Sequence, residues 1–175
     1  MIKKRKTAIL LCFVCTVLMT GCAGKVDKGI EHLEKKEYKE AIKSFDKAID
    51  GGEQVAEAYH GQGIAYWELK EYDKAKEAML NYLKEKGKPT ATVYQILGDC
   101  EMKSENYEEA LSYYLKGMSS DGLNEKQLQE MSYNEIVAYE KLNDWSSAKA
   151  KISAYVEKYP DDEMAKKEAE FLETR

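Results

Sequence analysis

An aromatic residue followed three positions later by alanine occurs at almost regular intervals along the chain. The aromatics are Tyr38, Tyr72, Tyr107 and Trp145, which are separated by 34, 35 and 38 residues. The alanines that keep the same intervals are Ala41, Ala75, Ala110 and Ala148. A period of this length is the signature of repeated supersecondary units that bury their apolar faces against one another. The sequence therefore predicts a stack of four similar units.

Each unit carries two apolar stripes at helical spacing. After the aromatic, apolar residues recur in steps of three and four, as from Ala75 to Met79. Before the aromatic, Tyr59, Gly63 and Tyr66 form a second stripe of the same kind. Steps of this size place residues on one face of a helix. We therefore expect each unit to be two antiparallel helices joined by a short polar link.

The spacing Tyr59-x3-Gly63-x2-Tyr66, followed by Ala75 and Met79, resembles the tetratricopeptide repeat (TPR) pattern. The resemblance implies an all-α solenoid of helix hairpins, wound as a right-handed superhelix with a concave groove lined by the first helix of each unit. A helical bundle or coiled coil is the alternative, although a coiled coil needs sustained heptads. The implied segments are the region 22–160, its hairpins at about 25–55, 56–89, 91–124 and 129–160, and a C-terminal capping helix at 161–175.

Some positions depart from this pattern. His32 occupies the place of an aromatic in the first unit, and Ile136 occupies the glycine place in the fourth. Four extra residues separate the third and fourth units, and we expect them to lengthen the link around "SSDGLNEK". In the closing helix we expect an apolar side formed by Met164, Ala165, Ala169, Phe171 and Leu172.

Residues 1–21 have the pattern of a signal peptide. A basic stretch, Lys3 to Lys6, precedes an apolar run, Ala8 to Met19, that is shorter than the roughly 20 residues of a spanning helix. The sequence that ends this run, "LMTGC", resembles the lipobox of bacterial lipoproteins, which implies cleavage before Cys22 and a lipid on its thiol. We therefore expect a lipid-anchored domain in the bacterial cell envelope, facing away from the cytoplasm. An uncleaved anchor and an ordinary secretory signal are alternatives that would also export the domain.

Removal of the signal peptide changes the charge and the cysteine content. The chain has 27 basic and 32 acidic residues, and loss of the four basic residues before Cys22 leaves a net charge of −9. An acidic domain is a poor partner for nucleic acid, so we expect none. Once Cys22 is lipidated, only Cys100 remains, and we expect it to be a small buried residue in no disulfide.

The candidate groove residues lie on a stripe rotated by one position from the packing stripe of each first helix. Trp67 is of the type that anchors interfaces, although packing between units is an equal alternative. The basic residues with which chaperone-docking TPR domains hold a C-terminal carboxylate are missing, and only Asn134 matches that set. We expect the groove to take an amphipathic segment or an extended peptide. The candidates are His60, Ile64, Trp67, Gln95, Asp99, Met102, Lys103, Tyr133, Val137, Glu140 and Lys141.

Catalytic chemistry is not indicated by the sequence. The two histidines, His32 and His60, fall in different units, and no zinc spacing, base beside a nucleophile or glycine-rich phosphate loop is present. We therefore expect no enzyme, no metal and no cofactor, but a membrane-anchored scaffold that binds a protein or peptide. The alternatives are a receptor for a small molecule or cell-wall fragment and a purely structural assembly subunit.

Overall fold

The computed structural model describes residues 24–175, so the predicted signal peptide and Cys22 lie outside the described residues. Within that range the chain forms nine helices and no strand. None of these helices is both long and apolar enough to cross a membrane. The helices are α1 (Lys25–Glu34), α2 (Tyr38–Asp50), α3 (Val55–Glu68), α4 (Tyr72–Lys84), α5 (Ala91–Lys103), α6 (Tyr107–Met118), α7 (Glu125–Lys141), α8 (Trp145–Lys158) and α9 (Glu163–Glu173).

The recurring aromatic is the first residue of α2, α4, α6 and α8, as the period predicts. The turn before it is illustrated by the second hairpin, in which the Lys70 amide donates to the Trp67 carbonyl and the Glu71 amide donates to the Tyr66 carbonyl, both at 2.9 Å. This pair of bonds satisfies the last carbonyl groups of α3 and requires a left-handed residue after the helix. The four residues that supply it are Lys36, Lys70, Glu105 and Asn143, with φ between 57° and 61°.

A small residue of the first helix meets a large residue of the second, sixteen positions later. A Cβ atom on Gly98 would lie 2.5 Å from Cε1 of Tyr114, and one on Gly29 would lie 2.3 Å from Cε1 of Phe45. The alanines of the recurring pair are also fully buried in these hairpins. The second helix therefore packs its largest core residue into the space that glycine leaves open.

In the fourth hairpin, the glycine and its large partner are replaced by two residues of intermediate size. Ile136 stands in the glycine place and Ile152 stands sixteen positions later, and both are buried, with 1% and 2% of their surface exposed. They belong to one apolar cluster with Ala148. The departure from the glycine pattern is therefore accommodated by a smaller partner.

The order of packing produces a solenoid. Each helix contacts the next along the chain, and the odd-numbered helices α1, α3, α5 and α7 also contact one another in sequence. Within the described part of the chain, the even-numbered helices make no such contacts with each other. The odd-numbered helices therefore form a closely spaced inner layer, and the even-numbered helices form a more widely spaced outer layer. This difference curves the stack and places its concave surface on the odd-numbered helices.

The extra residues between the third and fourth hairpins lengthen a helix, and our expectation of a longer link was wrong. α7 has 17 residues and begins at Glu125. Its cap is Asn124, whose Oδ1 accepts the Gln127 amide at 2.9 Å, while the Gln127 side chain reaches back to the Asn124 amide. This reciprocal cap starts the helix inside "SSDGLNEK" and so extends α7 towards its N-terminus.

The closing helix α9 packs against α8 through a narrower face than the sequence predicts. Ala165 and Leu172 are fully buried, but 74% of the Met164 surface and 44% of the Phe171 surface are exposed. The expected apolar side is therefore divided, because Met164 and Phe171 point away from the contact with α8. Phe171 lies instead under the guanidinium of Arg175, 4.7 Å from its ring centre.

Candidate binding groove

A cavity of 460 Å³ opens on the concave side of the stack and extends from α3 to α9. α7 supplies its central wall, and the C-terminal end is closed by α8, the loop that follows it and the first turn of α9. Aromatic, amide and acidic side chains alternate around it. The residues that line it are Trp67, Gln95, Asp99, Gln129, Glu130, Tyr133, Asn134, Tyr155, Asp162 and Met164.

Asp99 joins three hairpins at the floor of this cavity. Its Oδ2 accepts the indole N–H of Trp67 at 3.1 Å, and its Oδ1 accepts the hydroxyl of Tyr114 at 2.8 Å and an amide N–H of Asn134 at 3.1 Å. Burial raises the pKa of Asp99 to about 6, although the three donors favour the ionised form and work in the opposite direction. The carboxylate is thus fixed in place, and Trp67 serves both as cavity lining and as packing between units.

The C-terminal end of the cavity is a cluster of aromatic rings held by Asp162. The rings of Tyr133 and Tyr155 lie with their centres 5.6 Å apart. The hydroxyl of Tyr155 donates to Oδ2 of Asp162 at 2.9 Å, while Oδ1 of Asp162 accepts the backbone amides of Met164 and Ala165 at 3.1 and 3.0 Å. These amides and the hydroxyl lower the pKa of Asp162, so it is ionised at neutral pH.

The wall between these two ends is a ladder of amide and carboxylate groups. Gln95, which is 8% exposed, donates from Nε2 to Oε2 of Glu130 at 2.8 Å. Its Oε1 accepts from Nε2 of Gln127 at 3.4 Å. Among the described residues, three carboxylates and no Lys or Arg line the cavity. The groove is therefore acidic as well as aromatic.

A second cavity of 320 Å³ adjoins the first and shares Trp67, Asp99 and Asn134 with it. Seven of the eleven residues predicted from the rotated stripe line these two cavities. Trp67, Gln95, Asp99 and Tyr133 line the larger one. Met102, Lys103 and Val137 line the smaller one.

The other four predicted residues lie outside both cavities. The His60 ring packs on that of Tyr82, with centres 4.9 Å apart, and burial lowers the pKa of His60. Ile64 packs against the apolar core of the second and third hairpins. Glu140 faces Glu168 of α9, and Lys141 is exposed.

Besides Asn134, which it matched only to the carboxylate-binding set, sequence reasoning missed Gln129, Glu130, Tyr155, Asp162 and Met164 in the larger cavity. Gln129 and Glu130 lie in the first turn of the hairpin predicted at 129–160, four and three residues before Tyr133, and continuing the rotated stripe by one turn would have found them. The other three enter the cavity because α9 closes the end of the stack, and this closure depends on tertiary packing that the repeat pattern does not encode.

Other reactive groups in the described residues are either buried or dispersed. Cys100 is 1% exposed, as expected, and burial raises the pKa of its thiol to about 12. Residues 24–175 contain no group of three or more His, Cys, Asp or Glu side chains positioned to hold a metal ion. The groove remains the feature with the most recognition chemistry in this range.

The tetratricopeptide repeat family models match residues 26–88 and 60–121, and a further model of the same family matches residues 132–162. Together these matches cover more than half of the chain and all four hairpins. The chain belongs to the tetratricopeptide repeat family. The all-α solenoid expected from the sequence is thereby confirmed.

Individual TPR proteins are similar to parts of this chain. The TPR repeat-containing protein YsoA of Bacillus subtilis (strain 168) is 30% identical over 87 residues, which are 50% of this chain and 26% of YsoA. The match therefore spans about a quarter of the length of this curated relative.

Crystal structures of two TPR proteins share the fold. The structure of YrrB, described as having an unusual peptide-binding site, matches with a TM-score of 0.73 at 20% sequence identity. The match covers 85% of this chain and 74% of the YrrB chain. The structure of MamA matches with a TM-score of 0.70 at 14% sequence identity, and the match covers 82% of this chain and 81% of the MamA chain.

Proposed function

We propose that this protein is a scaffold of the bacterial cell envelope that binds a peptide or helix of another protein in its concave groove. The observation that carries the proposal is the exposure of Met164, 74% of whose surface is accessible at the end of a cavity lined by Trp67, Tyr133 and Tyr155. Flexible thioether and amphipathic aromatic side chains are typical of protein-binding surfaces.

The shape and polarity of the groove also favour a polypeptide ligand. The groove crosses the inner helices of three hairpins and the closing helix, so an extended chain could contact several units at once. Its amide groups, such as those of Gln129 and Asn134, can bond to a peptide backbone, while the rings contact side chains. The peptide-binding site described for YrrB, which has the same fold, supports this assignment.

Site-specific photo-crosslinking in intact cells tests the groove as the working surface. A photoreactive amino acid replaces Met164 in the full-length protein, and a matched variant carries it at Leu80, which is 41% exposed on the outer helix α4. We expect a discrete adduct from position 164 and none of the same mass from position 80. Adding Tyr133→Ala to the position-164 variant should remove the adduct. The same adduct from both positions, or an adduct that Tyr133→Ala leaves unchanged, would contradict the proposal.

The second part of the proposal is that lipidated Cys22 anchors the scaffold. Two acyl chains bind a membrane stably, at about 0.8 kcal/mol per buried methylene. We expect Cys22→Ala to accumulate as an unprocessed precursor that takes up no radiolabelled palmitate, whereas Cys100→Ala should be processed and labelled normally. Wild-type labelling of the Cys22→Ala variant would refute lipidation at this residue.

A further inference from the structure

The groove carries a charge pattern that the general proposal of peptide binding does not use. Its larger cavity is lined by Asp99, Glu130 and Asp162 and by neither Lys nor Arg among the described residues, whereas Lys103 lines the smaller cavity, which shares Asp99. A neighbouring cavity of 520 Å³ shares Gln129, Asp162 and Met164 with the larger one and adds the carboxylates of Asp161 and Glu163 together with the ammonium group of Lys158. The acidic surface is therefore continuous around the start of α9.

The nearby lysines neutralise only part of this surface. Lys158 lies 3.0 Å from Oε1 of Glu125, which is outside the two cavities, whereas Lys166 lies 2.8 Å from Oε1 of Glu163 and pairs with that carboxylate. Lys126 approaches Oε1 of Glu130 at 3.6 Å, but its side chain is 83% exposed, and such pairs contribute little. Asp161 has no Lys, Arg or His within 4.0 Å in the part of the chain that the structure describes.

The carboxylates are positioned before any ligand arrives. Asp162 is held by two backbone amides and the Tyr155 hydroxyl, and Glu130 is held by Gln95. A carboxylate has about four acceptor sites, so each group keeps capacity for a further donor. Tyr133 and Met164 lie beside them and offer apolar surface to the methylene stem of a long side chain. This combination of fixed anions and apolar walls is complementary to Lys or Arg.

We propose that the groove selects an extended basic segment of its protein partner, with a Lys or Arg side chain lying along Tyr133 and Met164 and its cationic end at Glu130, Asp161 and Asp162. This inference rests on the proposed function, because it names the chemical class of the peptide that the same groove binds. Attraction by the net charge of −9 that follows predicted signal-peptide removal would also increase the rate of encounter with such a segment.

The test starts from a library without charge bias. Random nine-residue peptides displayed on phage are selected on the full-length protein in non-ionic detergent, and bound phage are counter-screened on a Tyr133→Ala/Met164→Ala variant. We expect the peptides that depend on these two side chains to be enriched in Lys or Arg relative to the starting library. Groove-dependent peptides without this enrichment would overturn the basic-segment inference and leave the proposed function intact. Binders that are all indifferent to the variant would contradict both.

Matched peptides and variants then isolate the charge. The best selected peptide is synthesised with arginine and with citrulline, its neutral isostere, at the enriched position. We expect the arginine peptide to bind about tenfold more tightly than the citrulline peptide. Glu130→Gln/Asp162→Asn keeps the acceptors for Gln95 and the cap of α9, and it should abolish this preference. Glu108→Gln/Glu109→Gln removes the same number of charges from exposed positions on α6 and should retain it. Equal affinity of the two peptides for the wild-type protein would overturn the inference.

Discussion

At the scale of single residues, hairpin packing depends on what faces each glycine of a first helix. Opposite Gly98 stands the ring of Tyr114, which is fully buried and whose hydroxyl is held by Asp99. Opposite Gly63 stands Met79, whose terminal Cε would be the nearest atom to an added Cβ, at 2.6 Å. A tethered ring cannot move aside, whereas an unbranched thioether can. Equivalent positions in the repeat should therefore differ in their tolerance of a methyl group.

We predict that Gly98→Ala destabilises the protein by about 1–2 kcal/mol, because overpacking outweighs the helix propensity gained. Gly63→Ala should be neutral or stabilising by up to about 1 kcal/mol, since Met79 can repack and alanine favours the helix. Urea unfolding monitored by circular dichroism measures both. Equal destabilisation by the two substitutions would show that the packing partners do not determine the cost.

At the scale of helices and turns, the repeat period predicted the hairpins well because each apolar stripe is local in sequence. The ends of the elements were harder to predict. The start of α7 depends on the cap formed by Asn124 and Gln127, and the exposure of Met164 and Phe171 depends on how α9 meets α8. Three of the missed cavity residues, Tyr155, Asp162 and Met164, follow from the second of these features. Local patterns thus fixed the units, while the end of the stack required tertiary information.

The hairpin turns contain strain that glycine would relieve. Lys70 adopts φ of 61°, a conformation that costs most residues with a side chain about 1–2 kcal/mol. We predict that Lys70→Gly stabilises the protein by about 0.5–1 kcal/mol, after allowance for the greater freedom of glycine in the unfolded chain. Lys47→Gly, in the right-handed backbone of α2, should destabilise by up to about 1 kcal/mol. Thermal unfolding of both variants checks the opposite signs, and a loss of stability in Lys70→Gly would contradict the account.

At the scale of the whole molecule, two acidic groups make the stability of the helix stack depend on pH. Asp99 joins the second, third and fourth hairpins, and its pKa is raised to about 6 by burial. Glu140 of α7 faces Glu168 of α9, and burial followed by the charge of Glu168 raises the pKa of Glu140 to about 7. A group whose pKa is raised by folding favours the folded state at low pH, and that contribution is lost as pH rises through the folded value. Ionisation of both groups therefore lowers the stability of the folded protein as the pH rises from about 4 to about 7.

We predict that Glu140→Gln stabilises the protein at pH 8 by about 1 kcal/mol, a value reduced for partial solvent exposure, and has little effect at pH 5. The neutral amide replaces the protonated carboxyl and cannot acquire the charge that repels Glu168. Glu157→Gln, at an exposed position of α8, serves as the control with no pH-dependent gain. Melting temperatures at the two pH values check this, and a gain that is equal at pH 5 and pH 8 would rule out the carboxylate pair as its source.

The central claim is that the partner binds in the groove. The most direct test of this claim is the affinity of a captured partner segment for a variant whose groove is altered but whose fold is intact. The segment crosslinked through Met164 is synthesised as a fluorescent peptide and titrated with the full-length protein. Tyr133→Ala/Met164→Ala is preferred to substitution of Trp67, because the Trp67 indole supports buried Asp99. Leu80→Ala/Leu115→Ala removes two exposed apolar side chains from the outer helices and serves as the matched control. We predict that the groove variant keeps its circular dichroism spectrum and weakens Kd by about thirtyfold, the effect of losing 2 kcal/mol from buried anchors, while the control binds like the wild type. A folded groove variant with unchanged Kd would contradict the account.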